Sequence, residues 1–298
     1  MLAAAAFAPQ AVARELNGFA IDDASIPLRE IRKGGPPRDG IPALFSPSTE
    51  APELSPLADD DMVIGVELGN ETRAYPVPIL MWHELVNDVL GGTPILVSFC
   101  PLCGTGIVFD RRIAGTTHRF GVSGLLYQSD MLMYDVESES LWSQIAARAV
   151  TGDARDRRLR LVRSKMATWG EWKRAHPETS VLSTQTGYAR DYRRSPYASY
   201  DRSRKLFFPA PRDPPYHPKM RTLGLRVPGG PERAYPLKEV LRAGGEVEES
   251  FASHRVRVRA DPESGVFDVD APPPIEVIEG FWFAWSAFHP GGSVFVAP

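Results

Sequence analysis

The feature that most limits what this chain can fold into is an internal echo. "GVELGNETRAYPVPIL", which begins at Gly65, is answered by "GLRVPGGPERAYPLKEVL", which begins at Gly224. Arg73-Ala74-Tyr75-Pro76 returns as Arg233-Ala234-Tyr235-Pro236. Each copy runs through a stretch of helical period to a Gly-Gly pair, Gly91-Gly92 and Gly244-Gly245. Each then passes a strand and a turn and ends in Val-Phe-Asp, at Asp110 and at Asp268. "MVIGVELGNETRAYP" reads as a hairpin around Gly69-Asn70, because Gly and Asn accept the backbone twist of a tight turn. In "VPILMWHELVNDVLGG" the spacing of Leu80, Leu85 and Val89 predicts a helix that the glycine pair stops. "TPILVSF", "GIVFD" and "THRFGVS" read as strands. The expected fold is α+β and strand-rich, a single compact domain. It holds two related hairpin–helix–strand units, near residues 62–112 and 222–270, which implies an internal duplication. The domain spans 62–298 and follows a turn-rich wrapping segment, 14–61.

Composition narrows the function classes. The 28 prolines among 298 residues favour turns and loops over long helices. A net charge of −3 gives no electrostatic reason to expect nucleic acid. No apolar run reaches the roughly 18–20 residues of a transmembrane helix, so no transmembrane segment is expected. Residues 1–13 read as a signal-peptide remnant: a short apolar run leads to Ala11-Val12-Ala13, a small-x-small cleavage pattern. Export to the periplasm or another extracytoplasmic space follows, with cleavage after Ala13.

The only two thiols, Cys100 and Cys103, stand in "SFCPLCGTG". Two thiolates three residues apart in a tight turn can share one metal ion. A second such knuckle is absent, so other ligands must come from elsewhere. A Cys-Pro-x-Cys redox pair works best at a helix N-terminus, which lowers the thiol pKa; here a turn and a strand follow. A disulfide or two buried thiols is the bland alternative. The second copy carries Ala260 where the first carries Cys100, so the turn does not need thiols to form.

"HELVND" supplies the remaining candidates. On a helix His83 would be the third metal ligand, turned toward the thiols, and Glu84 and Asp88 would share a face as catalytic carboxylates. A zinc-protease helix needs a second histidine at Asn87, and that assignment is rejected. In "SDMLMYD", strand alternation would point Met131, Met133 and Asp135 one way, and thioethers beside thiolates suit copper(I). Methionine is more often core filling. His118 falls in an expected strand, and Ser123 lacks the setting of a nucleophile elbow. In "TWGEWKRAHP", Thr168 can cap a short helix that ends at His176-Pro177. "EGFWFAWSAFHP" reads as an aromatic strand.

Long segments resemble a family of bacterial and archaeal proteins catalogued only as a domain of unknown function. They include "AYPVPILMWHELVNDVLGGTPILVSFCPLCGTGIVFDR", "FGVSGLLYQSDMLMYD", "SLWSQ", "TWGEWKRAHPETSVLS" and "FWFAWSAFHP". The resemblance implies export and a metal-binding or redox role, and carries no reaction with it. Its Cys-Pro-x-Cys motif falls on Cys100 and Cys103, and its His-Glu pair on His83 and Glu84. The functional expectation is a metal-dependent oxidoreductase acting on a small molecule, its transition metal ion copper first, with zinc or iron the alternatives. A non-catalytic metal carrier is the second reading, and a thiol-disulfide protein the third.

Overall fold

The computed structural model describes residues 14–211 and 214–298; the expected signal segment, 1–13, lies outside them. The first unit opens with a hairpin, β1 (Met62–Leu68) and β2 (Glu71–Pro76), then α1 (Val77–His83). An antiparallel meander follows: β3 (Leu85–Leu90), β4 (Thr93–Cys100) and β5 (Thr105–Asp110). A second meander, β6 (Phe120–Tyr127), β7 (Asp130–Asp135) and β8 (Leu141–Ser143), packs beside it. β9 (Ser164–Thr168), α2 (Trp169–Ala175) and β10 (Ser180–Leu182) then return to the first hairpin, giving the order β9-β1-β2-β10. Residues 183–211 and 214–220, which lack regular structure, lead to the second unit.

That unit repeats the order. It has a hairpin, β11 (Arg221–Arg226) and β12 (Glu232–Pro236), then α3 (Leu237–Arg242). The meander β13 (Glu246–Phe251), β14 (His254–Ala260) and β15 (Phe267–Asp270) follows. β16 (Glu276–Phe281), α4 (Trp282–Phe288) and β17 (Ser293–Val294) close it in the order β16-β11-β12-β17. Registers agree as well: Gly65 pairs with Ala74 as Gly224 pairs with Ala234, and β10 and β17 both run parallel to their hairpins. In each unit an Arg and a Tyr of the hairpin share one carboxylate on the first meander strand. Arg73 and Tyr75 share Asp88; Arg233 and Tyr235 share Glu249.

The β3–β5 meander is the middle of three layers. Along β4, Ile95, Val97 and Phe99 face the hairpin β1–β2 and α1, where Ile64, Tyr75 and Leu80 receive them. Leu96 and Cys100 face the opposite way, toward Phe120, Met131, Met133 and Trp142 of the second meander. Burial on both faces is why "TPILVSF" is apolar without alternation. The two units join through the middle sheet, where Gly106 of β5 pairs with Glu279 of β16.

Two sequence expectations change. The helix at 77 ends at His83, and "LVNDVL" is a strand. Val86 and Asn87 are both buried, on opposite faces, so an apolar run taken for one helical side is a strand covered on both sides. The aromatic C-terminal segment is half strand and half helix: β16 stops at Phe281 and α4 carries Trp282 and Trp285. Thr168 caps α2 as its sequence indicates, within a complete capping box with Glu171.

Candidate metal centre

Cys100 ends β4, and the next residues turn back into β5. The turn is closed by the Cys103 amide donating to the Cys100 carbonyl at 3.1 Å. Gly104 takes φ +59°, and the Phe281 ring lies over it where a side chain would sit. The Phe281 amide donates to the Cys103 carbonyl at 2.7 Å, so the second unit holds the turn in place. Both cysteines are buried free thiols.

What faces them comes from the β6–β7 turn. Gln128 and Ser129 both have positive φ, the conformation of a tight two-residue hairpin. The Cys103 thiol donates to the Ser129 carbonyl at 3.4 Å, with Cys100 Sγ 4.0 Å from the same oxygen. The next residue, Asp130, completes a buried group: ligand atoms of Cys100, Cys103 and Asp130 all lie within 4.8 Å of one another. Asp130 Oδ2 accepts from the Ile145 amide at 3.1 Å, while Oδ1 has no close hydrogen-bond partner among the described residues. Burial pushes the Asp130 carboxyl up to about 7. Burial, and then the neighbouring Cys100, push the Cys103 thiol well above its ordinary value.

Glu84 adds a second carboxyl. It is the residue after α1, buried, with φ 57° and ψ −38°. Burial above all, opposed by a hydrogen bond with the Tyr197 hydroxyl and helped by the charge of Asp130, raises it to about 8. Tyr197 and Tyr200 lie over the site on the connecting segment and sense the thiols electrostatically. The Tyr200 hydroxyl is buried, with no close hydrogen-bond partner among the described residues. Three contacts pin the segment: Ser129 Oγ to the Phe208 carbonyl at 2.7 Å, Lys219 Nζ to the Lys205 carbonyl at 2.7 Å, and the Lys219 ammonium 3.7 Å from the Tyr200 ring centre. Two thiols and two carboxyls thus converge in the interior. The one oxygen of this group left unpaired, Asp130 Oδ1, is what a cation would satisfy.

The sequence candidates divide. Cys100, Cys103 and Glu84 converge here. His83 does not join the thiols: its Nδ1–H donates to the Pro42 carbonyl at 2.8 Å, which leaves Nε2 to accept from the Tyr192 hydroxyl at 2.7 Å. With the helix ended at residue 83, the imidazole and the Glu84 carboxyl leave the chain in different directions. Asp88 is on β3, opposite Ile95, and its Oδ2 accepts from Arg73 at 2.6 Å and Tyr75 at 2.8 Å. Its Oδ1 accepts from the Val89 amide. Those bonds lock the hairpin to the meander. His118 stands between strands and pairs with Asp135 at 2.9 Å, in a separate group with Glu137. Met131 and Met133 pack in the same core as the thiols. Sequence reasoning missed Asp130, Tyr197 and Tyr200. Asp130 stood beside the methionines in "SDMLMYD", but only the tertiary approach of two hairpin turns marks it out.

A family described as "Protein of unknown function (DUF3179)" matches residues 38–271. The chain belongs to this family. The matched span contains both hairpin turns of the centre, Glu84 and the covering tyrosines; β16 and α4 lie beyond it. No curated protein and no solved structure matches the chain.

Proposed function

We propose that the chain is a metal-binding protein that holds one transition metal ion between Cys100, Cys103 and Asp130, and uses it as a metal-dependent oxidoreductase. The observation that carries this reading is the convergence of two buried thiols on a buried carboxylate oxygen without a hydrogen-bond partner. Thiolate and carboxylate together suit zinc or iron(II). Copper(I) prefers an all-soft set and would need Met131 or Met133 as well. Glu84 and the two tyrosine hydroxyls are the polar groups that would orient water or a small-molecule substrate at the remaining coordination position. An export location fits this reading, since only a bound ion or a disulfide keeps such a pair settled under oxidising conditions.

A carrier must release its ion to a partner, and a centre roofed by a pinned segment favours a resident ion instead. The thiol-disulfide reading loses support from electrostatics. Reactive cysteines have lowered pKa values, whereas burial raises Cys103. Elemental analysis of protein purified from its native compartment tests the proposal. About one equivalent of iron, zinc or copper is expected, lost in Cys100→Ser and Cys103→Ser variants that keep the wild-type circular dichroism. Folded wild-type protein without metal, and unable to take it up, would sink the reading.

A further inference from the structure

We infer that Gln144 is a positioning residue of this centre: its carboxamide oxygen accepts a hydrogen bond from a small molecule that meets the ion through an O–H group, such as water, an alcohol or a peroxide. The inference rests on the metal-binding reading and gives the open coordination position a selectivity. Gln144 follows β8, in "SLWSQ", and is fully buried. It stands between the two halves of the centre. On one side its chain neighbours hold the carboxylate: Asp130 Oδ2 accepts from the Ile145 amide at 3.1 Å and from Ser143 Oγ at 3.5 Å. On the other side its carboxamide reaches the thiol-bearing hairpin. Nε2 donates to Ser98 Oγ at 2.9 Å and to the Thr105 carbonyl at 3.2 Å. Thr105 pairs with Cys100 across the ladder, and Ser98 shares the face of β4 that carries Cys100.

Those partners dictate which way the amide is turned. A carbonyl only accepts, and the Ser98 hydroxyl donates its single proton to the Ile107 carbonyl at 2.7 Å. Both sites must therefore meet N–H groups, and a reversed amide would set oxygen against oxygen. Oε1 is thus turned away from these two atoms, buried and without a close hydrogen-bond partner among the described residues. Arg226 of β11 fixes the loop in this position, its Nη1 donating to the Ile145 carbonyl at 2.7 Å. A buried acceptor whose amide has spent both its protons calls for a donor, as Asp130 Oδ1 calls for a cation. An ion that carries an O–H ligand supplies both. A ligand without a proton leaves Oε1 bare and is disfavoured.

Cobalt(II) is the probe for the ion, since its near-ultraviolet bands report thiolate ligation, and azide at neutral pH is the probe for a protonless ligand. Wild-type protein should bind one Co2+ with thiolate bands and take azide weakly. Gln144→Met keeps the length of the side chain and removes the acceptor; it should bind azide about 10-fold more tightly, the scale of one buried polar group left unpaired. Gln144→Glu keeps the length and adds negative charge; it should bind azide more weakly than wild type. A role in packing alone would move both variants in the same direction. Should one variant not fold, the other decides by itself. If a folded variant keeps the thiolate bands and takes azide as wild type does, or if both shift in one direction, Gln144 does not face the ligand and the centre stands. If wild type shows no thiolate bands, or Cys103→Ser retains them, the centre fails and the inference with it.

Discussion

Glu84 and Asp88 stand four residues apart and are both carboxylic acids, yet the fold gives them opposite fates. Asp88 spends both carboxylate oxygens on Arg73, Tyr75 and the Val89 amide. Glu84 reaches the thiol pocket with one tyrosine partner. Asp88→Asn should therefore lower stability by about 2 kcal/mol, the scale of a buried hydrogen bond to a charge, and leave metal content unchanged; chemical denaturation with metal analysis checks both. Asp110 gives the chain a dependence on pH. Hydrogen bonds from Arg112, and then Arg160, hold its carboxyl below the usual range against the effect of burial. A depressed carboxyl contributes stability that is present above its unfolded value, about 4, and is lost as pH falls through the folded value. Asp110→Asn should thus cost about 2 kcal/mol near neutrality and progressively less below pH 4, measured by denaturation at a series of pH values. At this scale the sequence exposed the thiols and Glu84. It hid Asp130, because nothing local in "SDM" says that one hairpin turn will meet another.

Elements show the correspondence between the units most clearly. Gly65 and Gly224 occupy matching register positions, and an added Cβ would fall 2.3 Å from the Trp172 ring in one and 1.8 Å from the Trp285 ring in the other. Each tryptophan packs on the histidine that ends its helix, Trp172 tilted against His176 and Trp285 stacked on His289. Gly65→Ala and Gly224→Ala should each destabilise by about 1–3 kcal/mol or more through overpacking, read as a lowered denaturation midpoint. Similar losses are what an internal duplication, which we propose from these matches, would produce. Thr168→Ala should cost about 1 kcal/mol by removing the α2 cap. The Arg-Ala-Tyr-Pro echo made the hairpins legible. A second echo, "WGEWKRAHP" against "WFAWSAFHP", corresponds to α2 and α4. In the sequence it is masked because the aromatic density of the latter imitates a strand. "LVNDVL" failed in the reverse direction: two-sided burial removes the alternation by which a strand is recognised.

For the whole molecule the middle sheet decides behaviour. It continues from the first unit into the second through β5 and β16, and Lys165 of β9 reaches Asp268 of β15 at 3.0 Å. No helix among the described residues is long and apolar enough to cross a membrane. Because the units share a sheet, they should unfold together. Tryptophan fluorescence and far-ultraviolet circular dichroism should give coincident denaturation curves; two separated transitions would show that the units are independent. The strand-rich single domain was legible from proline content and the echo, whereas the three-layer stacking was not, since the second meander enters between the two copies without a repeat of its own.

The turn after Ala260 has a further consequence. Asp261 closes it by accepting from the Glu263 and Ser264 amides, and no sulfur is involved. At the matching place the second half thus carries a longer turn without thiols: Ala260 pairs with Phe267 across six residues, where Cys100 pairs with Thr105 across four. Folding of such a unit does not by itself call for thiols in the first half. The turn without thiols is also an address. A frame that tolerates both a furnished and an empty turn is one into which a second centre could be transplanted at Ala260 and its neighbours, and the cost of furnishing could be read directly against the original.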